Sequence, residues 1–478
     1  MILAGGARRG GRTPHEVGCI NADEVDRVPT RSVAPPSLDV EPSWFIYAAW
    51  PLIVWTIYWL AFFPGVISAD SLHQWGEILS GRYDDWHPVV HTWLLWLLTR
   101  PGHSFGTVSF VQVVLTATLY GHIFAAARRL KTPGWLVSAM VAWLVISPVF
   151  GRNVIAVWKD GAFGIAILWV TLLMIRIVER GDLTPRNGAL LGLALSLVWL
   201  LRHNGPALAL PTLFALGWYC RPLGWRGVVR ATLVCGGIVA FASALYGVAH
   251  IARVPPALKH QSLIHQVAGL VAAGTPLTDR ERQELTPLLP LSSLPFIYHC
   301  RYIKPKLLNH VRHPRLLVSV WARLVARNPR TFVHQWSCVT RYIWHPRSEV
   351  VIGPMSLDGG WVEPNDYGLA TTSLLPAVQR FGSSVMVATF DPCSRLRPLI
   401  WQPAIPLYVL LGSLLVALWR TRSAVPLLLL LPAICNTGVW LAVSVGPYLR
   451  FQWPVILLAP VAVCLAGARI RETQVRRA

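Results

Sequence analysis

Four short polar stretches of this chain carry the residue types that chemistry needs, and apolar sequence flanks each of them. The first reads Pro64-Gly65-Val66-Ile67-Ser68-Ala69-Asp70-Ser71-Leu72-His73-Gln74-Trp75 and resumes at Gly81-Arg82-Tyr83-Asp84-Asp85-Trp86-His87-Pro88. The second runs from Arg152-Asn153 to Trp158-Lys159-Asp160, the third is Arg202-His203-Asn204-Gly205, and the fourth is Gly446-Pro447-Tyr448-Leu449-Arg450. Ionisable groups at the margins of apolar spans are costly and usually functional. Carboxylates facing fixed cations suit group transfer from a phosphate ester to a hydroxyl. That reaction needs a base for the hydroxyl proton and positive charge where the departing phosphate gains negative charge.

The elements that must position these stretches are membrane helices. Of 478 residues, 54% are hydrophobic and 14% charged, with a mean hydropathy of +0.48. This excludes an ordinary soluble enzyme, a disordered chain and a small disulfide scaffold. The class that remains is an all-α polytopic membrane protein. Spans are expected at 44–66, 105–127, 134–150, 161–177, 188–201, 206–219, 228–250, 398–419, 424–444 and 451–468, about ten transmembrane helices. The apolar piece 89–98 is shorter than the ~20 residues a crossing needs and is read as interfacial. Residues 202–205 break the pair 188–201 and 206–219, as happens where backbone lines a cavity or packs in protein.

The formal charge of +21 would suggest nucleic acid on a soluble protein. Here the basic residues act as topology signals, so no nucleic-acid partner is expected. Fifteen of them fall at 128–131, 176–186, 221–230, 420–422 and 469–477, against six in the short loops of the opposite face. The positive-inside rule then puts both termini in the cytoplasm of a multi-pass cell-membrane protein. It puts all four polar stretches on the other side.

The expected organisation is a disordered cytoplasmic tail at 1–43, an N-terminal transmembrane catalytic module at 44–252 and one extracytoplasmic domain at 253–397. C-terminal transmembrane helices at 398–468 and a cytoplasmic tail at 469–478 complete it. Cys300, Cys338 and Cys393 lie in the outer domain, where one disulfide and one leftover thiol, or no disulfide, are both compatible with the sequence. His310 and His313 have helical spacing for a metal, but two histidines are weak evidence. Phosphate-binding glycine loops, dinucleotide fingerprints, HExxH and nucleophile elbows are missing from the sequence.

Pro64-Gly65, Ser68-x-Asp70-Ser71 and Asp84-Asp85-Trp86-His87-Pro88 resemble the first outer loop of the GT-C superfamily of membrane glycosyltransferases. More narrowly, they resemble a bacterial, largely uncharacterised branch of it. Trp158-Lys159-Asp160, Arg202-His203-Asn204-Gly205 and Tyr448-x-Arg450 resemble later motifs of that branch. The resemblance spans roughly 44–250 and 398–468 and is silent on 253–397. It implies a GT-C-like fold and inverting transfer of a sugar from a polyprenyl-phosphate donor to an extracytoplasmic glycan or protein acceptor, among membrane lipids. By the same analogy Asp70 is the loop carboxylate that acts as base or orients the acceptor. No cofactor is required outright. The paired Asp84-Asp85 departs from the commoner lone second acid, so a divalent metal is left open.

Each candidate also has a plainer reading. Asp70 is a favoured N-cap type for a helix from Ser71, although a cap does not account for cations facing it. Asp84 and Asp85 are either turn residues or ligands to substrate or metal, and His87 before Pro88 is either structural or part of the site. Lys159 either pairs with neighbouring Asp160 or binds the lipid phosphate. Arg202 and His203 either satisfy carbonyls freed at a helix break or bind phosphate, and Arg450 either snorkels or does the same. Trp75 or Trp86 would suit stacking on a sugar ring. The competing function is a transporter or flippase of lipid-linked envelope precursors. Transporters, however, often show internal repeats and midplane charges, and neither is legible here.

Overall fold

The computed structural model describes residues 43–100, 104–219, 225–254, 259–304, 307, 314–353 and 360–469. Nearly all of both expected tails, and the His310/His313 pair, lie outside the described residues. The rest is helical, and the described residues contain only isolated β-bridges. The N-terminal half comprises α1 (Trp44–Ala61), α2 (Ala69–Ser80), α3 (Val89–Thr99), α4 (Phe105–Arg129), α5 (Gly134–Ile146), α6 (Pro148–Val154), α7 (Lys159–Arg180), α8 (Pro185–Leu200), α9 (Pro206–Tyr219) and α10 (Trp225–Val248). Then follow α11 (Gln261–Ala272), α12 (Asp279–Leu285), α13 (Leu294–Ile297), α14 (Pro314–Arg327), α15 (Pro329–Trp344), α16 (Pro376–Phe390) and α17 (Arg397–Ile400). The chain closes with α18 (Ala404–Thr421), α19 (Val425–Val443), a 3₁₀ turn at Leu449–Gln452 and α20 (Trp453–Gly467).

Seven described helices are long and apolar enough to cross a membrane, and an eighth span arises if α5 and α6, bent by 65°, count as one. The protein is a multi-pass membrane protein. The difference from the expected ten lies in α8 and α9, which are 16 and 14 residues long. Both fall short of the ~20 residues of a full crossing. Short helices of this kind survive at depth by packing on neighbours. At Gly188 on α8 the Gly227 backbone of α10 comes so close that a Cβ would not fit.

One large apolar cluster unites the spans, with Trp55, Tyr120, Phe150, Phe163, Trp401 and Leu457 among its fully buried members. The expected outer segment 253–397 divides by packing. Its first part, α11 to α14, has a separate cluster built on Ile264, Leu270, Leu285, Leu317 and Leu324. Its second part joins the main cluster through Tyr342, Ile343, Val350, Trp361 and Met386. Helix α15 touches both, with Phe332 against the small cluster and Tyr342 in the large one. Cys300 and Cys338 form a disulfide, and Cys393 is free and exposed.

The polar stretches are tied down by backbone pairing between distant loops. The Val66 amide donates to the Ile155 carbonyl, the Val157 amide to Val66, and the Ile67 amide to Trp361. Val351 and Leu449 exchange similar bonds across the fourth stretch, through Pro447 and Val351 carbonyls. Gly65 makes the first of these junctions possible. Its φ of +120° is a region L side chains rarely adopt, and a Cβ there would lie 2.5 Å from the Ile155 carbonyl oxygen. Gly65→Ala is therefore expected to destabilise the protein by about 1–3 kcal/mol. A lowered melting temperature in detergent would register this; an unchanged one would show that the junction is not strained in this way.

Candidate functional site

Asp70 lies in the first turn of α2. The cap position belongs to Ser68, whose backbone amide donates to the Ser71 hydroxyl oxygen at 3.3 Å. The helix starts two residues earlier than the Ser71 start expected from sequence, so capping does not occupy the Asp70 carboxylate. Ser71 Oγ donates to the Val157 carbonyl at 2.5 Å, which fixes α2 against the segment entering α7. This brings Lys159, the first residue of α7, to Asp70: Nζ donates to Oδ2 at 3.0 Å. Arg450, in the 3₁₀ turn, donates to the same Oδ2 at 2.7 Å.

One carboxylate oxygen thus holds two cations. Exposure separates this group from its neighbours, because the Asp70, Lys159 and Arg450 side chains retain 25%, 15% and 17% of their surface. A ligand can reach all three. Burial pushes the Asp70 carboxyl up, but the Lys159 and Arg450 charges outweigh it and hold the group well below the usual carboxylate range. His87 completes the cluster, its Nδ1 lying 2.8 Å from Lys159 Nζ. Burial, followed by the Lys159 charge, pushes its imidazole down to about 2. A neutral ring accepts at Nδ1 from the ammonium, which places the proton on Nε2; that nitrogen is buried without a hydrogen-bond partner among the described residues.

Arg202 and Asp160 form a second, closed pair behind the first. Their side chains are only 5% and 1% exposed. The Arg202 guanidinium also lies over the rings of Phe163, Trp440 and Phe451, at 5.0–5.6 Å. The Phe451 ring is shared with Arg450, 5.8 Å away. Arg202 therefore sits one ring behind the reachable cations, bound to Asp160.

The adjacent acids diverge. Asp85 pairs with Lys259 at 2.5 Å and accepts the Val254 amide at 2.5 Å, tying the first polar loop to the start of the segment after α10. Asp84 faces His73, with Nε2 to Oδ2 at 3.3 Å, and accepts the Trp86 amide at 2.8 Å. His203 is exposed, its Nε2 3.3 Å from the Trp86 carbonyl. The structure thus gathers Asp70, His87, Lys159 and Arg450, places Arg202 behind them, and turns Asp84, Asp85 and His203 to other partners: His73, Lys259 and the Trp86 carbonyl. Trp75 is buried against Phe105, with ring centroids 5.1 Å apart, and is not free to stack on a sugar.

Sequence reading passed over Glu77. It is buried, accepts the Asp84 amide at 2.7 Å, and accepts the Thr92 hydroxyl at 3.1 Å. The available signal was its spacing four residues after His73 on a helix.

No family model matches this chain, and no curated protein matches it. Among solved structures, it is similar to the crystal structure of ArnT from Cupriavidus metallidurans bound to undecaprenyl phosphate. The identity is 16%, over 90% of this chain and 77% of that one, with a TM-score of 0.33. The chemistry of the site is read from its own residues.

Removing one member of a buried ion pair strands the other. Arg202→Met is expected to cost about 3–5 kcal/mol of stability, and Asp160→Leu combined with it to recover most of the loss. Denaturant unfolding of the two variants in detergent compares them. Equal destabilisation of single and double variants would show that the pair is not what holds Arg202.

Proposed function

We propose that this chain is a membrane glycosyltransferase of GT-C type. It moves a sugar from a polyprenyl-phosphate donor to a hydroxyl of an extracytoplasmic glycan or protein, with inversion at the anomeric carbon. The observation that carries this reading is one partly exposed carboxylate, Asp70, shared by Lys159 and Arg450. The trio has one positive charge in excess, so it favours an added anion. The phosphodiester of a polyprenyl-phosphate sugar presents such an anion at the membrane surface, and the monoester that leaves carries further negative charge. The resemblance of the loop motifs to GT-C enzymes points the same way.

In the proposed reaction the acceptor hydroxyl gives its proton to Asp70 as its oxygen attacks the anomeric carbon. The carbon–oxygen bond to the phosphate breaks on the opposite face, and its electron pair leaves on polyprenyl phosphate. Lys159 and Arg450 neutralise the charge that develops there. Without donor, both cations hold Asp70 ionised. Once the phosphate draws them away, that hold weakens and the carboxylate becomes a better base. The charge-balanced Arg202–Asp160 pair packs behind the site. His87 orients the Lys159 ammonium.

The disulfide Cys300–Cys338 supports an extracytoplasmic position for that segment, since disulfides persist in oxidising compartments. It agrees with cytoplasmic termini by the positive-inside count.

The test is purified protein in lipid vesicles with a panel of polyprenyl-phosphate sugars and a crude envelope extract as acceptor. Mass spectrometry follows release of polyprenyl phosphate. Asp70→Asn is expected to lower turnover by about 10²–10⁴-fold, the range of general-base catalysis. Lys159→Ala and Arg450→Ala are each expected to lower it by about 10²–10³-fold. Near-wild-type turnover in Asp70→Asn would remove the base assignment. Donor movement across the bilayer without a new glycosidic bond would make the protein a flippase.

A further inference from the structure

A cavity of about 300 Å³ shares a wall with the fourth polar stretch, through Pro447. Its lining carries four guanidiniums, from Arg301, Arg341, Arg347 and Arg397, against one carboxylate, Glu349. Separate segments bring them together. Cys338, Arg341 and Tyr342 share one face of α15 by their spacing of three and four residues. The Cys300–Cys338 disulfide draws the neighbouring Arg301 to that face. Arg347 belongs to the turn after α15, where the Ser348 hydroxyl donates to the Gln402 side chain at 3.3 Å, and Arg397 opens α17. Glu349 pairs with Arg301. Among the described residues, Arg341, Arg347 and Arg397 have no carboxylate within ion-pair distance. Arg341 meets His345 Nε2 at 3.4 Å. The Arg397 guanidinium lies over the Phe390 ring at 4.8 Å, and its Nε is buried without a hydrogen-bond partner. The cavity thus holds three positive charges in excess.

We propose that this cavity binds a phosphate monoester, carried either by a soluble sugar or glycerol phosphate or by a lipid headgroup. Like charges gathered around one cavity repel each other, and an entering anion relieves that repulsion. Guanidinium forks match phosphate oxygens in paired, charge-assisted hydrogen bonds. Three uncompensated charges favour a dianion over a single carboxylate. The volume is at the low end for ligand pockets. It suits a phosphate with the first few carbons it esterifies, not a whole glycan. A phosphate held there would join α15, the turn after it, α17 and the loop ahead of the 3₁₀ turn. The Val351 amide donates to the Pro447 carbonyl at 2.7 Å, so the ligand would brace the segment that leads to Arg450. The site is separate from the Asp70 trio and stands independently of the transfer reaction proposed above.

Calorimetric titration of the purified full chain in detergent with glycerol 3-phosphate tests this for a soluble source. Melting temperatures in nanodiscs with and without phosphatidic acid test it for a lipid headgroup. The Asp70 trio is a competing anion site, so Lys159→Ala is measured beside the wild type. Both are expected to bind in the same arm, and that arm names the source. Arg341→Gln combined with Arg347→Gln, at two exposed positions, is expected to weaken binding about tenfold or more for each charge removed. Arg330→Gln, also exposed on α15 but not lining the cavity, retains the affinity. Should the double variant fold poorly, arginine labelling of the wild type with phenylglyoxal decides. The ligand is expected to protect Arg341 and Arg347 and to leave Arg330 reactive. Absence of binding in both arms overturns the proposal. So does binding that persists in the double variant, binding that disappears in Lys159→Ala, or protection that extends equally to Arg330.

Discussion

The arrangement depends on one oxygen atom. Asp70 Oδ2 receives Lys159 and Arg450, which lie 89 and 380 positions away in sequence. Two cations brought together beside an apolar bundle repel each other and lose water, and a carboxylate between them offsets both costs. The apolar packing of α1, α4, α7 and α20 brings the three chain segments near each other. The backbone junctions Val66–Ile155, Ile67–Trp361 and Val351–Pro447 then set their height. A carboxylate held this way is ionised and partly screened, and an entering anion finds its counter-charges already assembled.

Two charge groups lie one behind the other. The Asp70 trio carries one positive charge in excess, and the Asp160–Arg202 pair is balanced. Exposure follows the same division. The balanced pair is sealed among Phe163, Trp440 and Phe451, whereas the Asp70 trio keeps solvent access. A closed pair is a structural element, and an imbalance that can be reached is where a ligand fits.

Much of this was legible in the sequence because membrane helices announce themselves by length and hydropathy. Asp70, His87, Lys159 and Arg450 stood out as charges beside apolar runs, and the structure brings all four together. Arg202 stood out for the same reason, but its pairing with Asp160 rests on how α7 and α8 approach each other, which residue type does not encode. The doublet Asp84-Asp85 looked like one feature. A turn sends its members to His73 and Lys259, on different sides of the loop. Glu77 was hidden by its position in the middle of an amphipathic helix, where a glutamate reads as a solvated face. The short helices α8 and α9 passed as spans because hydropathy alone does not measure whether a helix reaches both surfaces.

The disulfide between Cys300 and Cys338 spans 38 positions and closes a loop around α14. Its first cysteine lies between the two sequence stretches that build the small cluster, and its second sits on α15, whose far end is embedded among the spans. The small cluster is thereby moored twice, by the chain and by a covalent cross-tie. A single cut within that loop leaves both fragments attached. The module is in this way built to tolerate a break in that loop without being shed.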